Sequence, residues 1–303
     1  MKFSKPPLTI EAQVQHLKQR GLVIPDEARA AHYLSHLNYY RLRAYWLPLE
    51  ADSKQHAFNH GASFETALDF YVFDRKLRLL LLDAIERIEV SLRTQWSYHL
   101  ALKYGSHAYL DPKLFRDQVK FTKAFNSLAD EVKRSDETFI RHYLQTYTDP
   151  ALPPIWVVAE ILTLGQLSRW YENLAQPSDR QAVARVYGLD EKVLTSFFHH
   201  LSIVRNLCAH HSRLWNRRFT FITKLPKRPT LLAQCFNTGG PRNIYNTLVL
   251  IRYMLMIVSP NSLWEERLVD LFKEHSEVDP VVMGFPQDWA KLSIWCDGEW
   301  KGS

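Results

Sequence analysis

A chain of 303 residues, 46% of them hydrophobic and only ten of them glycine, can bury a sizeable core, which excludes general disorder and allows one large domain or two smaller ones. A formal charge of +6 favours polyanionic partners, but an excess so small over this length makes the placement of charge matter more than its total. Cys208, Cys235 and Cys296 are widely spaced with no C-x-x-C pair, so neither a disulfide framework nor a zinc ribbon is indicated, and a reducing cytoplasm fits best.

In chain order, Ile10 to Arg20 carries apolar residues at helical spacing and stops at Gly21. A second helix is predicted from about Asp26 through the aromatic-rich Asn38 to Trp46, ending before Pro48. The polar stretch from Ala51 to Gly61 reads as a loop. Ser63 is placed to cap the longest helical pattern, Phe64 to Lys103, with Gly105 closing it. Such a length implies a kink or a central scaffold. On this helix Leu79, Leu82, Glu86, Val90 and Arg93 share a stripe, so Glu86 and Arg93 are expected among apolar neighbours, paired with each other, with Glu89 or with backbone, or else supporting an active site.

A mixed segment from Asp111 to Asp149 precedes Pro153-Pro154 and a helix expected from Ile155 through Leu174. Glu160 lies on that helix among apolar residues, placed either to reach a site or to buttress one. Pro177-Ser178-Asp179 opens a short helix that Gly188 closes. Between about Glu191 and Phe221 there is neither glycine nor proline, and the periodicity stays helical until Pro226 and Pro229. Asn243 to Val258 reads as one more helix, too short for a membrane span and carrying Arg252, and the tail from Asp279 to Trp300 reads as irregular packing. No apolar signal segment is read at the amino terminus. With no persistent alternation to suggest a major sheet, the fold class expected is all-α.

Chemistry concentrates in Val204-Arg205-Asn206-Leu207-Cys208-Ala209-His210-His211. An arginine can grip a phosphate through two parallel hydrogen bonds, and a histidine moves protons at neutral pH, which together suit cleavage of a phosphodiester. If the helix continues through the motif at 100° per residue, Ile203, Val204, Leu207, Leu214 and Trp215 form the core face and His211 falls among them. His210 then faces solvent one ridge above Asn206, which could orient its ring, and is the histidine expected to function, while His211 is expected to pack. Arg205 lies about 140° from His210, an angle that a flexible side chain or a second copy of the helix could bridge. A metal is not expected: His199 and His210 are roughly 16 Å apart on one helix, and Cys208 and His211 both lean toward the apolar side with no acidic ligand near.

Beyond the motif, Arg213, Arg217, Arg218, Lys224, Lys227 and Arg228 alternate with Trp215, Phe219 and Phe221, a pattern that can track phosphates and stack on unpaired bases, or can simply be a solvated basic end.

The string from Ile203 to Arg217 resembles the signature of abortive-infection proteins of the AbiD/AbiF type, which belong to the HEPN superfamily. The likeness extends to Lys5-Pro6-Pro7-Leu8-Thr9-Ile10, Leu37-Asn38-Tyr39-Tyr40-Arg41-Leu42, Phe73-Asp74-Arg75-Lys76-Leu77-Arg78, Glu86-Arg87-Ile88-Glu89 and Met283-Gly284-Phe285-Pro286-Gln287-Asp288-Trp289. It implies a HEPN-like helical bundle over residues 63–225, flanked by a helical extension at 1–62 and a helix with irregular packing at 226–303, the whole forming one compact unit. It further implies a metal-independent endoribonuclease with no cofactor, in which Arg205 binds phosphate and His210 is catalytic, with Asn206 as the accompanying polar residue and His211 satisfying a longer spacing. The ribose 2′-hydroxyl would attack and leave a 2′,3′-cyclic phosphate. Because one chain supplies one exposed histidine, a homodimer is expected. The resemblance suggests a phage-defence effector restrained by an inhibitory RNA or a protein antitoxin. The His-x-Tyr ending of one HEPN branch is absent, since His210 is followed by His211 and Ser212. The alternative is a non-catalytic RNA-binding or partner-sensing module on the same scaffold.

Overall fold

The structure is a computed structural model that describes residues 2, 6–52 and 56–296. Lys5 of the family-like opening and the end of the tail up to Trp300 fall outside those residues. Thirteen α-helices and one short antiparallel hairpin make up the regular structure described, apart from single 3₁₀ turns, so the fold is all-α.

Helix α1 (Ile10–Gln19) starts where the Thr9 hydroxyl accepts the Ala12 N–H at 3.2 Å, and it stops before Gly21. The single helix expected from Asp26 to Trp46 is instead α2 (Glu27–Leu37) and α3 (Tyr39–Trp46). Asn38 divides them in a left-handed conformation, φ 64°, and its side chain caps α3 by accepting the Tyr40 N–H at 2.8 Å. Part of the expected loop forms a hairpin, β1 (Glu50–Asp52) against β2 (Ala57–Phe58), with Glu50 opposite Phe58.

Helix α4 (Phe64–Tyr104) begins as read: the Ser63 hydroxyl accepts the Thr66 N–H at 3.0 Å, and Gly105 at φ 95° closes the other end. Its 41 residues make a rod of about 60 Å. It is the scaffold, packed against by α3, α7 (Ile155–Ile161), α9 (Pro177–Val186), α10 (Glu191–Ala209), α12 (Tyr245–Val258) and α13 (Trp264–Glu274). The stripe assigned to its inner face is corrected: Leu79 and Val90 are 55% and 48% exposed, and Glu86 is exposed with them. Leu77, Leu81, Ile85, Ile88, Leu92 and Trp96 face the core instead. Apolar residues on both sides of this helix made periodicity an insufficient guide to which side is inside.

The mixed segment after α4 contains α5 (Gln118–Arg134), capped by Asp117, and α6 (Thr138–Thr146). The helix expected from Ile155 to Leu174 breaks after α7, because Thr163 and Gln166 form a reciprocal capping box that starts α8 (Leu164–Asn173). A short α11 (Thr230–Gln234) and α13 complete the set. Buried apolar residues fall into two clusters. One, from Val14 to Leu68, belongs to the N-terminal helices and the first turn of α4; the other runs from Tyr45 through the body of α4 to Trp295, so residues after 226 share the larger core.

Candidate functional site

Helix α10 carries the motif and ends inside it. The reading that extended this helix to Phe221 is corrected, since its last residue is Ala209. His210 is the C-cap, and His211 adopts a left-handed conformation at φ 55°. The His211 N–H reaches the Cys208 carbonyl at 3.0 Å and the Ser212 N–H reaches that of Leu207 at 2.8 Å, which is the Schellman arrangement with histidine where glycine is usual.

The physical cause of the stop lies far away in sequence. A longer helix would send the Leu214 and Trp215 N–H groups to the carbonyls of residues 210 and 211. Both instead donate to one oxygen of Asp74, at 2.9 and 2.7 Å. The other Asp74 oxygen accepts the Tyr45 hydroxyl at 2.6 Å and a guanidinium N–H of Arg78. The carboxylate is fully buried and has four donors, so its charge is compensated. Burial, and after it the neighbouring Asp74 charge, pushes the Tyr45 hydroxyl pKa up. Arg41 takes the His211 carbonyl at 2.8 Å. Trp215 stacks on Phe70 with ring centroids 4.5 Å apart, and Leu214 is fully buried. Of the residues expected on the helix's core face, Leu214 and Trp215 are in the core, but a clamped loop carries them there; Val204 is buried on α10 itself, and Ile203 and Leu207 are half-buried on it.

Loss of the helical continuation removes the basis for separating the two histidines. His211 is exposed rather than packed, and His210 is exposed beside it. Arg205 is half-buried on the last turns of α10, and its guanidinium lies 3.5 Å from the Asn206 side-chain oxygen. Among the described residues no carboxylate pairs with Arg205, and no hydrogen bond engages the imidazole of His210. Cys208 is buried, and burial raises its thiol pKa to about 12, so it is no nucleophile at neutral pH. No cluster of three or more potential metal ligands occurs among the described residues.

The remaining predicted residues separate into groups. Arg213 is half-buried, donates to the Ala44 carbonyl at 3.4 Å, and has its guanidinium pKa lowered by burial; Arg217 bonds the Arg213 carbonyl at 3.2 Å. These two fasten the loop, whereas Arg218 and Lys224 project into solvent. Arg93 pairs with Glu89 at 2.5 Å and donates to the Glu160 and Leu162 carbonyls at 3.1 and 2.8 Å, one of the partnerships read for it. Glu160, with its carboxylate 3.7 Å from Arg93, is exposed and lines a different cavity from the one that Asn206 lines, and Glu86 is not brought to either. Asp74, Arg78, Tyr45 and Arg41 escaped a reading based on residue spacing, although three of them lie in segments that carried the family likeness.

The class defined by fold and site is an all-α protein whose helix α10 ends in a half-buried arginine and an exposed histidine, with the loop beyond them held by a buried carboxylate. The chain belongs to the family of Abi-like proteins, whose family model matches residues 32–216, more than half of the chain. That match spans Arg41, Asp74, Arg205, His210 and Trp215. The family supports a general role in abortive infection, a form of defence against phage. Neither the curated proteins nor the solved structures include a match to the chain. No described helix is long and apolar enough to cross a membrane.

Proposed function

We propose that the protein is a metal-independent endoribonuclease of the HEPN type, related to AbiD/AbiF proteins and acting as an abortive-infection effector. The observation that carries this reading is the accessible end of α10, where Arg205 lacks a carboxylate partner among the described residues and His210 has a free ring. A helix C-terminus ordinarily repels anions. Here the Schellman bonds occupy the Leu207 and Cys208 carbonyls and Arg41 occupies that of His211, which removes much of that obstacle.

Arg205 would hold the scissile phosphate and stabilise charge growing on its oxygens. An imidazole, His210 with His211 beside it, would take the proton of the ribose 2′-hydroxyl or give one to the departing 5′-oxygen. The 2′-oxygen bonds to phosphorus as the phosphorus to 5′-oxygen bond breaks, giving a 2′,3′-cyclic phosphate and a 5′-hydroxyl. Among the described residues no hydrogen bond joins Arg205 to His210 within one chain, and two copies related by a twofold axis would supply the pair of proton carriers that in-line transfer needs. An inhibitory RNA or protein antitoxin would restrain such an activity, and a cytoplasmic location suits it.

The test is incubation of purified protein with total RNA in EDTA, followed by mapping of the cleaved ends. Cleavage leaving cyclic phosphate ends, reduced at least 10²-fold in Arg205→Ala and in His210→Ala, is the expected result. RNA bound but left intact by the wild type would establish instead the non-catalytic RNA-binding module.

A further inference from the structure

Two cavities lie side by side along the outer surface of α10. One, of 620 Å³, opens between α5, α8 and α10 and includes Asn206; the other, of 500 Å³, follows the first half of α10. Both are lined by Arg116, Glu172 and His199, so they join into one groove. Seven Lys or Arg residues and two Glu residues line it. Arg180 pairs with Glu191 at 2.6 Å and Arg116 with Glu172 at 3.4 Å. Lys120, Lys123, Arg169, Lys192 and Lys224 remain, with no carboxylate partner among the described residues. Five unbalanced charges in one groove account for most of the +6 carried by the entire chain.

From Lys192 to Asn206 the groove follows α10 for about 21 Å, room for roughly six stacked nucleotides at about 3.4 Å each. Asn206 lies one turn below His210, whose N–H bonds the Asn206 carbonyl at 2.9 Å, so the groove ends beside the motif. Midway along it the exposed His199 ring meets the half-buried Phe221 edge-on, with centroids 4.7 Å apart. Aromatic faces beside a cationic track suit unpaired bases, which can stack where paired ones cannot.

We propose that this groove binds single-stranded RNA, its five free cations following the phosphates and His199 with Phe221 receiving a base, so that the strand is led to the end of α10. The inference deepens the nuclease reading and rests on it for the identity of the strand. It also moves the main RNA grip away from Arg213 and Arg217, which are spent on the loop, to residues on α5 and α8 that sequence pattern did not single out.

The experiment measures binding of a fluorescein-labelled 2′-O-methyl-uridine dodecamer, whose blocked 2′-oxygen prevents cleavage, to the full chain and to the triple variant Lys120→Glu, Lys123→Glu, Arg169→Ala. All three side chains are exposed, and thermal unfolding checks that the variant folds like the wild type. The expected result is a Kd raised at least tenfold, with the slope of log affinity against log salt reduced by about 2, as expected for three lost phosphate contacts on a single strand. A variant Kd within twofold of the wild type, a wild type that does not bind the dodecamer, or equal affinity for a duplex of the same length would overturn the proposal. Unmodified RNA separates this idea from the one beneath it. Groove-dependent binding without cleavage sinks the nuclease and leaves the groove, whereas cleavage unchanged by the triple variant does the reverse.

Discussion

Of the three acid–arginine pairs at i,i+4 spacing on helix α4, two, Asp74 with Arg78 and Glu89 with Arg93, each hold a break in a neighbouring segment. They do so with opposite ends of the pair. At the stop after α10 the break exposes N–H groups, and the carboxylate faces it, taking those of Leu214 and Trp215. At the break between α7 and α8 the chain presents carbonyls, and the guanidinium faces it, bonding those of Glu160 and Leu162. The sign of the backbone group left over by a helix end decides which partner is turned toward it. Burial differs as well: the side chains of Asp74 and Arg78 are 0% and 5% exposed, those of Glu89 and Arg93 12% and 18%. The first pair has no water to replace a missing partner, and it holds the loop beyond the proposed catalytic end; the second has some water and holds the break that starts α8.

The comparison is broken most directly at Asp74. Asp74→Ala removes the acceptor for four donors and leaves the Arg78 charge buried without compensation, so a loss of about 3–5 kcal/mol in urea unfolding is expected. The proposed RNA cleavage should fall with it even at temperatures where the variant is folded, because Leu214 and Trp215 would no longer fix the chain beyond His210. A variant that unfolds like the wild type would show that the clamp contributes little.

Next in size is a test that separates holding α10 from holding its end. His200 is buried in the middle of that helix with its Nε2 2.8 Å from the Thr247 hydroxyl on α12, and burial lowers its pKa from 6.5 to about 4. The folded state therefore resists protonation that the unfolded chain accepts below 6.5. Stability is fully present above that pH and is lost as pH falls toward about 4, by about 3 kcal/mol at most. Denaturant unfolding at pH 7.5 and pH 5 should show a larger drop in the wild type than in His200→Gln, and an equal drop in both would remove His200 as its source.

Glu89→Gln sharpens the other half of the comparison. It takes the charge from Arg93 but leaves the guanidinium its two carbonyls, so a cost of about 2 kcal/mol is expected. Cleavage measured on the folded protein should be unchanged. Should it fall as far as in Asp74→Ala, the two pairs serve the site alike and the contrast between them is void.

How far the sequence discloses this arrangement depends on where each cause lies. The ends of α4 are legible because Ser63 and Gly105 act on adjacent backbone, and the last residue, Tyr104, falls one beyond the predicted Lys103. The capping box of Thr163 and Gln166 and the Asp117 cap of α5 are equally local, and were legible signals left unread. The stop at Ala209 is different. No glycine or proline marks it, and its cause is a carboxylate 140 residues before Leu214 in the chain. The motif itself stands out by residue type alone, and His210 is exposed as read, but the placing of His211 in the core by helical angle failed along with the helix it assumed.

The smallest expected effect decides between those two histidines. His211 occupies the left-handed position of a Schellman turn, which costs a side-chain residue on the order of 1 kcal/mol that glycine avoids. Its ring is exposed, so removing it sacrifices no core contact. His211→Gly should accordingly match or exceed the wild type in thermal unfolding, by up to about 1 kcal/mol, while deleting one imidazole from the site. Alanine would be a poorer probe, because it keeps the strain and loses the ring. If His210 alone moves the protons, the glycine variant should cleave RNA within a few-fold of the wild type. A stable glycine variant as inactive as His210→Ala would instead assign the proton transfer to both rings, or to His211 through the longer spacing from Arg205.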